Sequence, residues 1–144
     1  MKSILVICIH NSARSQMAEE YLRSACGNCF RVESAGIEPG TLNPLVVQVL
    51  QEDGIDISGK GTRSVFDLHR QGRWFDYVIA VCGKEAEERC PIFPGTAERL
   101  HWPFDDPSAA KGTIEERIVE TRRVRDLIKQ KVKEFCSTYC SEST

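Results

Sequence analysis

The sequence predicts an α/β fold, a single domain built on a four-stranded parallel sheet with helices on both faces. Three observations predict it. The 144-residue chain is 41% hydrophobic and 28% charged, the make-up of one globular domain. Apolar runs of strand length alternate with helix-length amphipathic stretches, which is the signature of βα units and parallel pairing. No internal repeat, low-complexity tract or linker interrupts the pattern, so the domain is expected to occupy residues 1–144.

The strands are expected at Ser3–Ile9, Phe30–Glu33, Tyr77–Val81 and Arg99–Trp102. The first helix should run from Ala13 to Ala25, with Met17, Ala18, Tyr21, Leu22 and Ala25 on one face and Gly27 as its stop. Asn43 as N-cap and Pro44 at the first helical position open a second helix whose apolar set is Leu45, Val46, Val49 and Leu50, and Gly54 closes it. Shorter helices are expected within Ser64–Gln71 and around Glu85–Arg89. Thr113 followed by Glu116 forms a capping box that starts a long terminal helix. The row expected to face inward is Ile114, Ile118, Thr121, Val124, Leu127, Ile128, Val132 and Phe135.

Composition excludes several classes of function. A formal net charge of −2 lacks the electrostatic footprint of a nucleic-acid binder or of a protein held on an anionic membrane. The longest apolar run, Ile4–Ile9, is far shorter than the roughly 20 residues that span a bilayer. No cleavage site of small residues follows that run, so no secretory signal is read and a cytoplasmic monomer with a small-molecule partner is expected. There thiols stay reduced, so the seven cysteines read as catalytic, metal-binding or incidental rather than as a disulfide scaffold.

Chemistry concentrates at the end of the first strand. In Cys8-Ile9-His10-Asn11-Ser12-Ala13-Arg14-Ser15 a cysteine closes the strand and an arginine stands six residues later on the opening turn of a helix. A loop entering a helix N-terminus aims several free N–H groups at one point, and the helix dipole adds positive potential there. An oxyanion fits that point, and the Arg14 guanidinium can clamp it with two parallel hydrogen bonds. The same field favours the thiolate of Cys8, the nucleophilic form. Ser15 can donate to that thiolate, and Asn11 can brace the loop and tolerate a left-handed backbone. The bland alternative makes Cys8 a small buried hydrophobe and Arg14 a solvated first-turn residue.

The Ile9–Met17 stretch, together with Phe104-Asp105-Asp106-Pro107, resembles the fold shared by low-molecular-weight protein tyrosine phosphatases and thioredoxin-coupled arsenate reductases. Asn11, Ser12, Arg14, Ser15, Gln16, Met17, Ala18 and Glu19 fit that family's loop and the helix it enters. Ser34-Ala35-Gly36, Asn43-Pro44, Asp56-Ile57-Ser58 and His101-Trp102 are similar to further landmarks, while His10 stands where the family usually has glycine. The resemblance implies a general acid at Asp106, needed because the leaving oxygen must be protonated. Read alone, Asp106 could simply cap a turn with Pro107 at its first position, and Asp105 is the neighbouring choice.

Within that family, a phosphatase needs only the loop and the acid, since water hydrolyses its phosphocysteine. A reductase needs further thiols. Cys82 follows the third strand, Cys90 lies eight residues on and Pro91 comes next, which is similar to the reductase pattern. The resemblance therefore implies reduction of arsenate to arsenite by a Cys8/Cys82/Cys90 disulfide relay regenerated by thioredoxin. Gly83–Arg89, charged and weakly amphipathic, could unwind to let Cys90 reach Cys82. The phosphatases usually carry Asp-Pro-Tyr, whereas Ser108 follows Pro107 here. A phosphatase, or an oxyanion-binding domain without turnover, remains the alternative.

Cys26 and Cys29 near the end of the first helix, and Cys136 and Cys140 at the end of the last, have zinc-ligand spacing. Both helices return to the N-terminal edge of the sheet, so the two pairs could meet there. The simpler expectation is helix-end thiols without a role, and no metal site is assigned. His10, His69 and His101 show no ligand spacing, and His101 and Trp102 are read as packing or loop-shaping residues. The family resemblance also implies a potassium ion held near the loop by Asn11, Glu19 and Ser34.

Overall fold

The computed structural model describes residues 1–83, 88–91, 93 and 97–140. Four strands, β1 (Lys2–Cys8), β2 (Phe30–Gly36), β3 (Tyr77–Ala80) and β4 (Glu98–His101), form one parallel sheet in the order β2-β1-β3-β4. Side chains alternate between the two faces of a strand. Ile4 to Cys8 of β1 and all of β3 are nevertheless buried without alternation, so both faces of the sheet centre are covered. β4 is the exposed edge, with Leu100 as its one large aliphatic side chain.

Helix α1 (Arg14–Cys26) follows β1 directly; Met17, Ala18, Tyr21 and Leu22 are buried as the period requires, whereas Ala25 is exposed and Cys26 takes the last buried position. Helix α2 (Pro44–Gln51) starts as expected, with the Asn43 side chain accepting from the Leu45 N–H and Pro44 at its first position. Ser64 caps α3 (Val65–Arg70) in the same way. The last helix, α4 (Ile114–Tyr139), opens with both halves of the Thr113/Glu116 capping box formed.

Two assignments within α4 are corrected. Ile114 and Leu127 are exposed, while the other expected residues, Ile118, Thr121, Val124, Ile128, Val132 and Phe135, are buried. Three arginines of α4 reach residues outside the helix. Arg122 and Arg125 both bind Glu52 at the end of α2, and Arg123 binds Asp105. The helix expected over Glu85–Arg89 lies largely outside the described residues. No helix among the described residues is long and apolar enough to cross a membrane.

Candidate active site

The loop from Cys8 to Arg14 is shaped by its carbonyls. Those of Cys8, Ile9, His10 and Ser12 accept from the N–H groups of Ile37 (3.1 Å), Glu38 (2.7 Å), Gly40 (2.9 Å) and Asn43 (3.0 Å). In a trans peptide the C=O and the following N–H point in opposite directions. Fixing these carbonyls against residues 37–43 therefore turns the N–H groups of Ile9, His10, Asn11 and Ala13 toward the concave side. One of them shows the result directly, because Asn11 donates its N–H to Cys8 Sγ at 3.2 Å.

Two backbone features permit the curl. Asn11 adopts φ 54°, the left-handed conformation expected of it. Gly36 lies so close beneath the loop that a Cβ there would stand 2.8 Å from the Ile9 carbonyl oxygen and 2.9 Å from the Asn11 nitrogen. Gly36 is thus a residue of the site. In the sequence it stood out only as a family landmark, because nothing local reveals a close approach between segments far apart in the chain.

Cys8 is buried, and its sulfur lies 2.9 Å from Ser15 Oγ. Asn11 Nδ2 donates to both Ser15 Oγ (2.8 Å) and Ser34 Oγ (2.9 Å), holding the serine beside the sulfur. The Arg14 guanidinium is anchored on the Phe104 carbonyl at 2.9 Å and stands 3.7 Å from Asp106 Oδ2. Asp106 also caps the short 3-10 turn Pro107–Ala109 by accepting from the Ser108 N–H, as the turn-capping reading expects. Asp105 is turned away, exposed and paired with Arg123.

Cys82 is buried at the same edge of the sheet. The Val81 N–H bonds the Ile7 carbonyl at 3.0 Å, which brings the residues after β3 alongside the end of β1. Burial first, and then the charge of Cys8, pushes the Cys82 thiol up to about 11, while Arg14 and the Ile9 main chain pull the other way. Cys90 is also buried, and its thiol too is pushed up, chiefly by desolvation. His101 Nε2 lies 2.6 Å from the Cys82 carbonyl oxygen, a loop-shaping contact. The unwinding expected of Gly83–Arg89 falls mostly outside the described residues.

The potassium ion implied by the resemblance does not fit this chain. Asn11 Oδ1 accepts from the Arg63 N–H, and the Ser34 hydroxyl donates to Glu19 Oε1. Lys60 Nζ sits 2.7 Å from the same Glu19 oxygen, so an ammonium group supplies the positive charge there. Glu19 is almost fully buried and is also paired with Arg23 at 2.7 Å. A surface cavity of about 660 Å³ beside Tyr21, Asp53 and Lys129 is lined by neither Cys8 nor Cys82.

The remaining cysteines overturn an expectation. Neither free nor without partners, they form two disulfides, Cys26–Cys136 and Cys29–Cys140. The convergence of the two helix ends was foreseen from topology, but covalent pairing was not. Cys8, Cys82 and Cys90 are the free thiols.

A phosphate-type loop closing a four-stranded parallel sheet defines a class of protein, and sequence comparison gives it its name. Residues 3–143 match the model of the low molecular weight phosphotyrosine protein phosphatase family, and the chain belongs to that family. Within it, the chain is similar to arsenate reductases. It is 44% identical over 140 residues to the arsenate reductase of Bacillus licheniformis, covering 95% of this chain and 96% of that one. The crystal structure of an Archaeoglobus fulgidus arsenate reductase superposes with a TM-score of 0.73 at 27% identity, covering 93% of this chain and 98% of that chain. A thioredoxin-dependent arsenate reductase of Corynebacterium glutamicum matches with a TM-score of 0.61 at 32% identity, covering 90% of this chain and 61% of that one.

Proposed function

We propose that this protein reduces arsenate to arsenite, with Cys8 as nucleophile and Cys82 and Cys90 as the thiols that carry the electrons away. The observation that carries the reading is the presence of a second buried thiol, Cys82, against the loop that cradles Cys8. A phosphatase has no use for it. The near-full-length similarity to arsenate reductases supports the same choice.

Arsenate occupies the concave face of the loop, held by main-chain N–H groups and the Arg14 fork. Cys8 attacks arsenic(V), an As–S bond forms, and an As–O bond breaks as Asp106 protonates the departing oxygen. Ser15 steadies the sulfur through its 2.9 Å contact. Cys82 then loses its proton and attacks Cys8 Sγ. The As–S electron pair stays on arsenic, which leaves as arsenite, and a Cys8–Cys82 disulfide remains. Cys90 attacks Cys82 in turn, freeing Cys8 and forming Cys82–Cys90. A dithiol partner of the thioredoxin class reduces that bond, which is consistent with the thioredoxin-dependent relative.

The reading carries a cytoplasmic setting, where such dithiols operate, and a monomer. Arsenate-dependent turnover with thioredoxin and its reductase is the decisive assay, run beside glutathione with glutaredoxin and beside p-nitrophenyl phosphate hydrolysis. Cys82→Ser should retain the capacity to form the Cys8 adduct and lose repeated turnover. Multiple turnovers by that variant would refute the relay, and rapid phosphate ester hydrolysis without arsenate turnover would restore the phosphatase alternative.

A further inference from the structure

Four of the seven cysteines take no part in that chemistry, and they meet at one place. Cys26 ends α1, Cys29 precedes β2, Cys136 lies in the last turn of α4 and Cys140 caps it. Lys2 pairs with Phe30 and Cys8 with Gly36, so the cluster lies at the opposite end of β1 from the nucleophile. At roughly 3.3 Å per residue that separation is about 20 Å. The cluster is a second thiol centre, out of reach of the first.

Its geometry does not depend on the sulfur–sulfur bonds alone. Phe135, next to Cys136, packs against the rings of Phe30, Tyr77, Trp102 and Tyr139 and holds the end of α4 on the sheet. Within each pair the backbone is also fixed, with Cys29 N–H to the Cys26 carbonyl and Cys140 N–H to the Cys136 carbonyl, both 3.0 Å. The crossing Cα–Cα distances are 5.9 and 5.8 Å. Reduction would therefore leave four thiols still gathered, two from a C-x2-C and two from a C-x3-C segment.

We propose that in its reduced form this cluster is a tetrathiolate site for zinc(II). With the sulfurs bridged, no group of three or more His, Cys, Asp or Glu among the described residues is disposed to hold a metal. Two equivalents of a dithiol reductant supply four electrons and four protons, converting both disulfides to thiols and themselves becoming disulfides. Zinc then takes the four sulfurs as thiolates, up to four protons are released, and a closed tetrahedral site results. Four soft ligands, no histidine and no open position favour zinc in a structural role. The inference leans on the proposed function in one respect, since a thioredoxin-class partner places the chain among dithiols able to open the clasp.

The test uses the full chain with Cys8, Cys82 and Cys90 all changed to serine, so that no relay thiol binds metal and arsenate turnover is irrelevant to the outcome. The protein is reduced under argon, freed of reductant and titrated with cobalt(II). One cobalt per chain should bind, with the thiolate-to-cobalt charge-transfer band and the intense visible bands of a tetrahedral sulfur site, and zinc should bleach them. Adding Cys29→Ser and Cys136→Ser should abolish both bands. Should that variant fail to fold, blocking the thiols of the parent chain with a mercurial must release its bound zinc to a chromogenic chelator. Absence of the charge-transfer band would overturn the proposal, as would preferential uptake of arsenite or, once air is admitted, re-formation of both disulfides as fast with zinc as without it.

Discussion

At the scale of single residues, the two cysteines of the candidate site sit at the same end of the sheet with different neighbours. Cys8 receives the Asn11 N–H and the Ser15 hydroxyl contact, whereas burial and the neighbouring charge of Cys8 hold Cys82 as a thiol up to about pH 11. The thiolate is the reactive form, so the reactivity of Cys82 must rise with pH. In a Cys8→Ser/Cys90→Ser chain burial, the larger cause, remains, so iodoacetamide labelling of Cys82 should be slow at neutrality and accelerate about tenfold per pH unit through pH 9. A plateau near pH 8 would contradict this. Gly36→Ala should push the loop out of shape, since the new methyl meets main-chain atoms that cannot swing aside. Displacement of that kind costs about 100-fold in turnover, and steady-state kinetics would measure it. Lys60→Met would leave the buried Glu19 carboxylate with Arg23 as its remaining cation. A loss of about 1–3 kcal/mol in urea unfolding is expected.

At the scale of elements, local signals were the legible ones. Asn43-Pro44 and Thr113/Glu116 placed two helix starts because a cap is a contact between near neighbours in the chain. Thr113→Ala should accordingly cost about 1 kcal/mol, read from the urea midpoint. The pairing of Arg122 and Arg125 with Glu52 is not legible in the sequence, because Glu52 lies some 70 residues away and no period within the helix points to it. Leu127 failed for a related reason, since a helical stripe is wider than the face that finally meets the sheet. Asp53, at the end of α2, accepts from the Tyr21 hydroxyl and from Lys129. Chiefly through the Tyr21 hydrogen bond, its carboxyl is held below the usual range. A depressed folded-state value means stability that is complete above about pH 4 and lost as the pH falls further. Asp53→Asn should therefore flatten the acid limb of the stability profile.

At the scale of the whole molecule, each disulfide closes a loop of about 110 residues, joining α1 and its following turn to the end of α4. In the chain-entropy account one such closure contributes about 4–5 kcal/mol, while a second beside it constrains only the few residues between the bridges. Breaking either bridge alone should change the denaturation midpoint little, and breaking both in metal-free protein should lower it sharply. The Cys8–Arg14 loop, the parallel pairing of four strands and the approach of both helix ends to one edge were written in the chain itself, because each follows from short-range spacing and the handedness of βα units. The selection of Asp106 over Asp105 to face Arg14, the Lys60 ammonium seated where a potassium ion was implied, and the pairing of the four outlying cysteines came only from tertiary structure. These depend on which distant segments touch, and such contacts are set by packing of the complete domain rather than by any local pattern.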